Sequence, residues 1–190
     1  MTTKLQSPIE PARSLPRAVQ IRAPRMEDVP GIARLVEECQ PFLTAHVCYL
    51  YWAYTRYYAE TCALAEVEGK IAGWCHANAV GGGKYFSHQA AVAPWARGLG
   101  IGRLLCVHLL NRLKDEPGFA VEFTIERRNI AALKMVTAAA KHAGLCLTKS
   151  GERASLPEAD CCEEVYLIAP ARNLDGFEWS WRSDATAFYE

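Results

Sequence analysis

The chain has no net charge: 21 Lys+Arg stand against 21 Asp+Glu in 190 residues. It therefore offers no overall attraction to phosphate backbones or anionic lipid, and neither a nucleic-acid nor a membrane-surface role is expected. It also lacks any run of about 18 uninterrupted apolar residues, the length a membrane-spanning helix needs. Met1 to Ala18 carries charges and prolines where a secretory signal would need an apolar stretch. A cytoplasmic protein is the expectation. Metal-ligand spacing is missing as well: Cys39, Cys48, Cys62, Cys75, Cys106 and Cys146 stand alone, and the adjacent Cys161 and Cys162 suit neither a shared metal nor an easy disulfide. Reduced, mostly packed thiols and no metal centre are expected. No internal repeat or low-complexity tract occurs.

What is present is 51% hydrophobic residues, enough for one sizeable core. Residues 1–18, with Pro8, Pro11 and Pro16 among polar residues, read as a flexible arm that cannot bury enough surface to offset its ordering entropy. Residues 19–168 read as one domain. The tail, 169–190, holds Phe177, Trp179, Trp181, Phe188 and Tyr189 without a readable period.

Val19 to Arg22 is a short strand; Asp28 then caps a helix carrying Val29, Ile32, Ala33, Leu35 and Val36 at helical spacing. The aromatic-rich stretch from Pro41 to Glu60 is read as helical. Cys62 to Val67 and Ile71 to Asn78, joined through Glu68-Gly69-Lys70, form a hairpin, and Gly81-Gly82-Gly83 turns the chain into a third antiparallel strand, Tyr85 to Ala93. A helix follows, with Leu104, Leu105, Val107, His108, Leu109 and Leu113 on one face. Then come a strand from Phe119 to Ile125, a helix from about Asn129 to Ala143 stopped by Gly144, and two strands, Leu145 to Lys149 and Val165 to Ile168, with residues 151–163 a polar connection. Helices mixed with a meander argue for an α+β fold with a mostly antiparallel sheet.

The informative stretch is Arg97-Gly98-Leu99-Gly100-Ile101-Gly102-Arg103 at the start of the third helix. Alternating glycines allow backbone N–H groups to converge where a helix begins, a place that favours a phosphate; the same residues also serve as a plain strand-to-helix turn. A phosphate-binding P-loop would need Gly-Lys followed by Ser or Thr, and Gly102 is followed by Arg103 and Leu104. A dinucleotide fingerprint counted from Gly98 would need glycine at 103. Both are excluded.

Arg97-Gly98-Leu99-Gly100-Ile101-Gly102 resembles the Q/R-x-x-G-x-G/A motif of the GNAT acetyltransferase superfamily. The order of elements from about Val19 to Ile168 resembles that fold too. The resemblance implies that backbone groups of Ala90, Ala91 and Val92 pair with the pantetheine arm of acetyl-CoA. By the same likeness the amides of Gly98, Leu99, Gly100, Ile101, Gly102 and Arg103 cradle its pyrophosphate, and Asn129 contacts the cofactor, although Asn129 equally fits a helix N-cap. A homodimer is the expected assembly, partly on this family likeness.

Acetyl transfer to an amine needs a base, because a free alkyl amine has a pKa of about 10.4 and attacks only when neutral. In the strands that resemble those around the acetyl group, His88 titrates near neutrality and Glu122 can pass a proton through water. Each also reads as an ordinary sheet residue. Protein N-terminal acetyltransferases of the superfamily place Glu and Tyr where this chain has Thr124 and Val136, which weakens a peptide N-terminus reading; Tyr49, Tyr51, Tyr166 or water is left to protonate the thiolate.

The segments Phe42 to Tyr51, Ala59 to Glu66, His88 to Pro94 and Asn129 to Ala140 are similar to the diaminobutyrate acetyltransferases of ectoine synthesis, and Tyr49 and Tyr51 take substrate-binding places by that resemblance. Two positions differ. That family has Leu-Asp-Leu-Asn-Ser where this chain reads Leu43-Thr44-Ala45-His46-Val47, and a tryptophan where His88 stands. Thr44 gives up a charge-assisted hydrogen bond of about 1.5 to 3 kcal/mol to a substrate ammonium. The expected reaction is acetyl-CoA-dependent acetylation of a small amine, a diamino acid such as 2,4-diaminobutyrate or a polyamine. The alternatives are acetylation of a peptide N-terminus or lysine, and a non-catalytic CoA-binding module.

Overall fold

A computed structural model describes residues 19–153 and 163–174 of the chain. The expected arm (1–18), residues 154–162 of the polar connection and residues 175–190 of the tail lie outside the described residues.

Among the described residues seven strands form one sheet: β1 (Val19–Arg22), β2 (Cys62–Val67), β3 (Lys70–Gly81), β4 (Lys84–Val92), β5 (Ala120–Glu126), β6 (Cys146–Arg153) and β7 (Glu163–Ala169). Their order is β1-β2-β3-β4-β5-β7-β6, antiparallel everywhere except between β4 and β5. The last strand in sequence therefore inserts between β5 and β6. The helices are α1 (Val29–Glu37), α2 (Cys48–Tyr57), α3 (Ile101–Leu113) and α4 (Ile130–Ala143). α1 and α2 pack on each other, and α3 packs on α4 and on β2 and β3. This is the expected α+β, GNAT-like arrangement, and its core centres on Trp74, Phe119, Ile32, Leu64, Ile101 and Leu105, each fully buried.

Both hairpins rest on two-residue turns with left-handed backbone. Glu68 and Gly69 (φ 50° and 75°) join β2 to β3, and Gly82 and Gly83 (φ 59° and 74°) join β3 to β4, the twist that suits right-handed strand pairs. The second turn also abuts the turn before β5. A Cβ at Gly118 would lie 2.6 Å from the Gly82 carbonyl oxygen, one at Gly83 would collide with the Pro117 carbonyl, and Ala120 N–H donates to the Gly83 carbonyl at 3.2 Å. That contact holds the starts of β4 and β5 side by side.

Two expectations need correction. Asp28 does not cap α1: its carboxylate turns back, accepting from Arg25 N–H at 2.7 Å and from both terminal nitrogens of Arg22 at 2.6 and 2.9 Å, because a buried carboxylate gains more from a guanidinium fork than from one helix amide. Burial alone would raise the Asp28 pKa, yet the Arg22 guanidinium and Arg25 hold it below the usual value. Nor is the stretch from Pro41 to Glu60 helical throughout. Residues 41–47 form a loop, and only Cys48–Tyr57 is α-helix.

Candidate active site

β4 and β5 run side by side for four residue pairs, from Lys84 with Ala120 to Ser87 with Phe123, and then part. Past that point β4 stays paired on its other edge, Gln89, Ala90, Ala91 and Val92 facing His76, Cys75, Trp74 and Gly73 of β3. β5 continues beside β7. Two parallel strands joined at one end thus leave a wedge at the other, and among the described residues the β4 edge that faces it has no strand pairing beyond Ser87. Backbone polar groups on such an edge need a partner, which an extended ligand arm can supply.

A cleft of about 530 Å³ fills this wedge. Ala90, Cys106 and Asn129 line it, with Met135 and Val136 from α4, His88 and Gln89 from β4 and Thr124 and Glu126 from β5. The loop at Phe42, Leu43, Thr44 and His46 adds to the lining.

The glycine loop lies where β4 hands over to α3. Gly98 and Gly100 have φ of 80° and 73°, and a Cβ at either would meet nothing within 4 Å among the described residues, so glycine is needed there for the backbone turn and not to avoid a neighbour. Gly100 is the N-cap of α3 and supplies no side-chain cap, and the amides of Ile101, Gly102 and Arg103 begin the helix. Such N–H groups have no partner within their own helix, which suits a diphosphate. Gly102 has a packing role besides its place among the first amides of α3: its missing Cβ admits the Met135 side chain of α4, and a Cβ there would lie 3.3 Å from Val92. Asn129 caps α4, its Oδ1 accepting from Ala132 N–H at 3.0 Å, and the residue also lines the cleft.

The candidate catalytic and substrate residues divide. His88 lines the cleft, and its Nε2 lies 2.9 Å from Nε2 of His46. Glu122 is 3% exposed within the sheet and is not one of the lining residues. Tyr49 is 71% exposed and stacks on Trp52 outside the cleft. Tyr51 is fully buried, and burial raises its pKa; its hydroxyl accepts from His46 N–H at 3.0 Å, so it holds the loop and does not line the cleft. Tyr166 donates to Glu164 at 2.6 Å, and that bond, with burial, pushes its pKa up to about 12. No tyrosine lines the cleft among the described residues.

Three residues that sequence reasoning did not single out shape the site. Gln89, 4% exposed, donates to the Thr44 carbonyl at 2.7 Å and ties the loop to β4. His46 comes to His88 from 42 positions away. His76, fully buried, stacks beneath His88 with ring centroids 5.6 Å apart and lies 4.0 Å from the Tyr54 ring. Neither His76 nitrogen has a hydrogen-bond partner among the described residues, and burial, with His88 and His46 adding to it, pushes its pKa down to about 3. It is uncharged at neutral pH. No local pattern relates residues 46, 76 and 88; only the pairing of β3 with β4 and the tie of the loop do.

Comparison with known proteins agrees with this geometry. Residues 30–139 match the profile of the Acetyltransferase (GNAT) family. The chain is 29% identical over 183 residues to an L-2,4-diaminobutyric acid acetyltransferase of Nocardia farcinica, covering 90% of this chain and 94% of the relative. It is 30% identical over 163 residues to the protein of the same name from Bordetella parapertussis, covering 83% and 86%. In fold it resembles the diaminobutyrate acetyltransferase of Paenibacillus lautus, solved in complex with L-2,4-diaminobutyric acid and coenzyme A, with a TM-score of 0.71 at 23% identity over 80% of this chain and 95% of that one.

Proposed function

The chain belongs to the GNAT family of acetyltransferases, and from that premise we propose that it transfers the acetyl group of acetyl-CoA to a primary amine of a small diamino acid, with 2,4-diaminobutyrate the leading substrate. The observation that carries this reading is the wedge between β4 and β5, without strand pairing along Gln89 to Val92 among the described residues and bounded by the loop at Phe42 to His46. A cleft bounded by a loop that Gln89 ties to β4 suits a short acceptor better than an extended peptide. The names of the relatives from Nocardia farcinica and Bordetella parapertussis support the same substrate despite Thr44. The six free thiols among the described residues fit a reducing cytosol.

Acetyl-CoA supplies the thioester. The β4 edge at Ala90 to Val92 orients its arm and the amides at Gly98 to Arg103 hold its diphosphate. His88 takes one proton from the incoming ammonium and leaves a neutral amine. The amine nitrogen then bonds to the acetyl carbon, the C–S bond breaks, the nitrogen loses its second proton as the amide forms, and the thiolate is protonated by water. Glu122 stands too deep in the sheet to meet substrate directly, and Tyr49 lies outside the cleft, so neither has a direct part in this reading.

Isothermal titration with acetyl-CoA, followed by thiol release with diamino acids, polyamines and peptides, tests it. The expected result is binding, with fastest turnover on a diamino acid. Binding without turnover on any amine would mean a CoA-binding module, and turnover confined to peptides would overturn the choice of acceptor.

A further inference from the structure

His88 does not stand alone at the cleft. Its Nε2 meets Nε2 of His46 at 2.9 Å, with the rings edge to face and 4.8 Å between centroids. The two parts that bring His46 there are anchored in the core: Gln89 holds the Thr44 carbonyl, and Tyr51 accepts the His46 N–H. Gln89 is 4% exposed and Tyr51 fully buried. A loop held this way presents one imidazole to another as a consequence of the fold. His76 stacks against the His88 ring of the pair and is uncharged at neutral pH.

A hydrogen bond between two ring nitrogens needs one donor and one acceptor, so the joined pair accommodates one added proton and no more. We propose that His46 and His88 form a two-imidazole proton relay, in which His46 carries to solvent the proton that His88 takes from the acceptor ammonium. In the resting pair His88 donates its Nε2–H to His46, whose proton sits on Nδ1. The ammonium gives a proton to His88 Nδ1, the Nε2–H moves to His46 Nε2, and His46 Nδ1 releases its proton to water. One proton enters and one leaves, and the amine is left neutral. Tautomer exchange with water resets the pair. His46 is thus a positioning and relay residue, and the inference rests on His88 being the base.

Among the described residues, titratable groups near the pair include His76 of β3, Tyr51 and Tyr54 of α2, Glu122 and Glu126 of β5 and Glu163 of β7. Glu126 pairs with Arg128, and on α1 Glu37 acts on Tyr51.

The test compares His46→Gln, His46→Ala and His88→Ala with the parent protein, using the diamino acid it turns over fastest. Acetyl-CoA affinity is measured by calorimetry and kcat and KM across pH. His46→Gln, which keeps a hydrogen bond but cannot relay a proton, is expected to leave acetyl-CoA affinity unchanged and to lower kcat at least about tenfold near neutrality. The deficit should shrink as pH rises and the amine loses its proton unaided, and added imidazole should restore part of the activity of His46→Ala. If both His46 variants keep the parental kcat and pH profile while His88→Ala is impaired, the relay is overturned and His88 remains the base. A deficit that is independent of pH and unmoved by imidazole also overturns it, because His46 would then only shape the loop. Parental turnover by His88→Ala at every pH would overturn the base assignment itself.

Discussion

Gly100 joins backbone conformation to the proposed cofactor binding in one position. Its φ of 73° disfavours any L side chain by about 1 to 2 kcal/mol, and a Cβ there meets no described atom within 4 Å beside the first amides of α3. Gly100→Glu places a carboxylate beside the proposed diphosphate site. It should weaken acetyl-CoA binding by about tenfold or more, as read by calorimetry on the folded variant. Asp28 illustrates a purely structural demand. Its carboxylate holds two Arg22 nitrogens and the Arg25 amide while 7% exposed, and Arg22 also reaches Glu66 at 2.9 Å. Asp28→Ala leaves the guanidinium only Glu66 and the Ala23 carbonyl and frees the Arg25 amide, and should cost about 2 kcal/mol in urea unfolding while leaving acetyl-CoA affinity unaltered.

Strand β4 owes its usefulness to being paired twice at one end and once at the other. The interlocked turns at Gly82-Gly83 and Pro117-Gly118 determine where the β4 and β5 pairing begins, and the divergence beyond Ser87 and Phe123 opens the cleft. Gly83→Ala would force a Cβ against the Pro117 carbonyl at a φ of 74°. A loss of about 2 to 3 kcal/mol in stability is expected, with lower acetyl-CoA affinity as the strand starts separate; unchanged melting would mean that the turns do not set the wedge. The elements themselves were largely legible in the chain. The β2–β3 hairpin follows from a left-handed Glu68-Gly69 turn between apolar runs, and Asn129 and Gly144 bound α4 as their residue types suggest. The start of α2 was not legible, because aromatics crowd both the helix and the loop before it and blur the period.

Acid sensitivity is a property of the folded molecule that stacked histidines confer. His76 has an ordinary pKa near 6.5 when unfolded and about 3 when buried, so below about pH 6.5 the unfolded chain takes up a proton that the folded chain refuses. The stability due to a neutral His76 is present above about pH 6.5 and is lost as pH falls from there toward 3, by up to about 1.4 kcal/mol per pH unit. His76→Leu should flatten the decline in melting temperature between pH 7 and pH 5, as followed by circular dichroism. An equally steep decline in that variant would place the acid sensitivity elsewhere.

Local chemistry was enough to identify the glycine loop, since a positive φ and a bare helix start are demanded within a few neighbouring residues. The same holds for the hairpins and for the Asn129 cap. Distances between remote segments were not. The burial of Glu122, the exposure of Tyr49, the withdrawal of Tyr51 into the core and the meeting of His46 with His88 depend on how strands register and where a loop is tied. Conformational preference is a short-range property that residue types carry along the chain, whereas the proximity of chemically active groups arises only when the sheet pairs and the helices close over it.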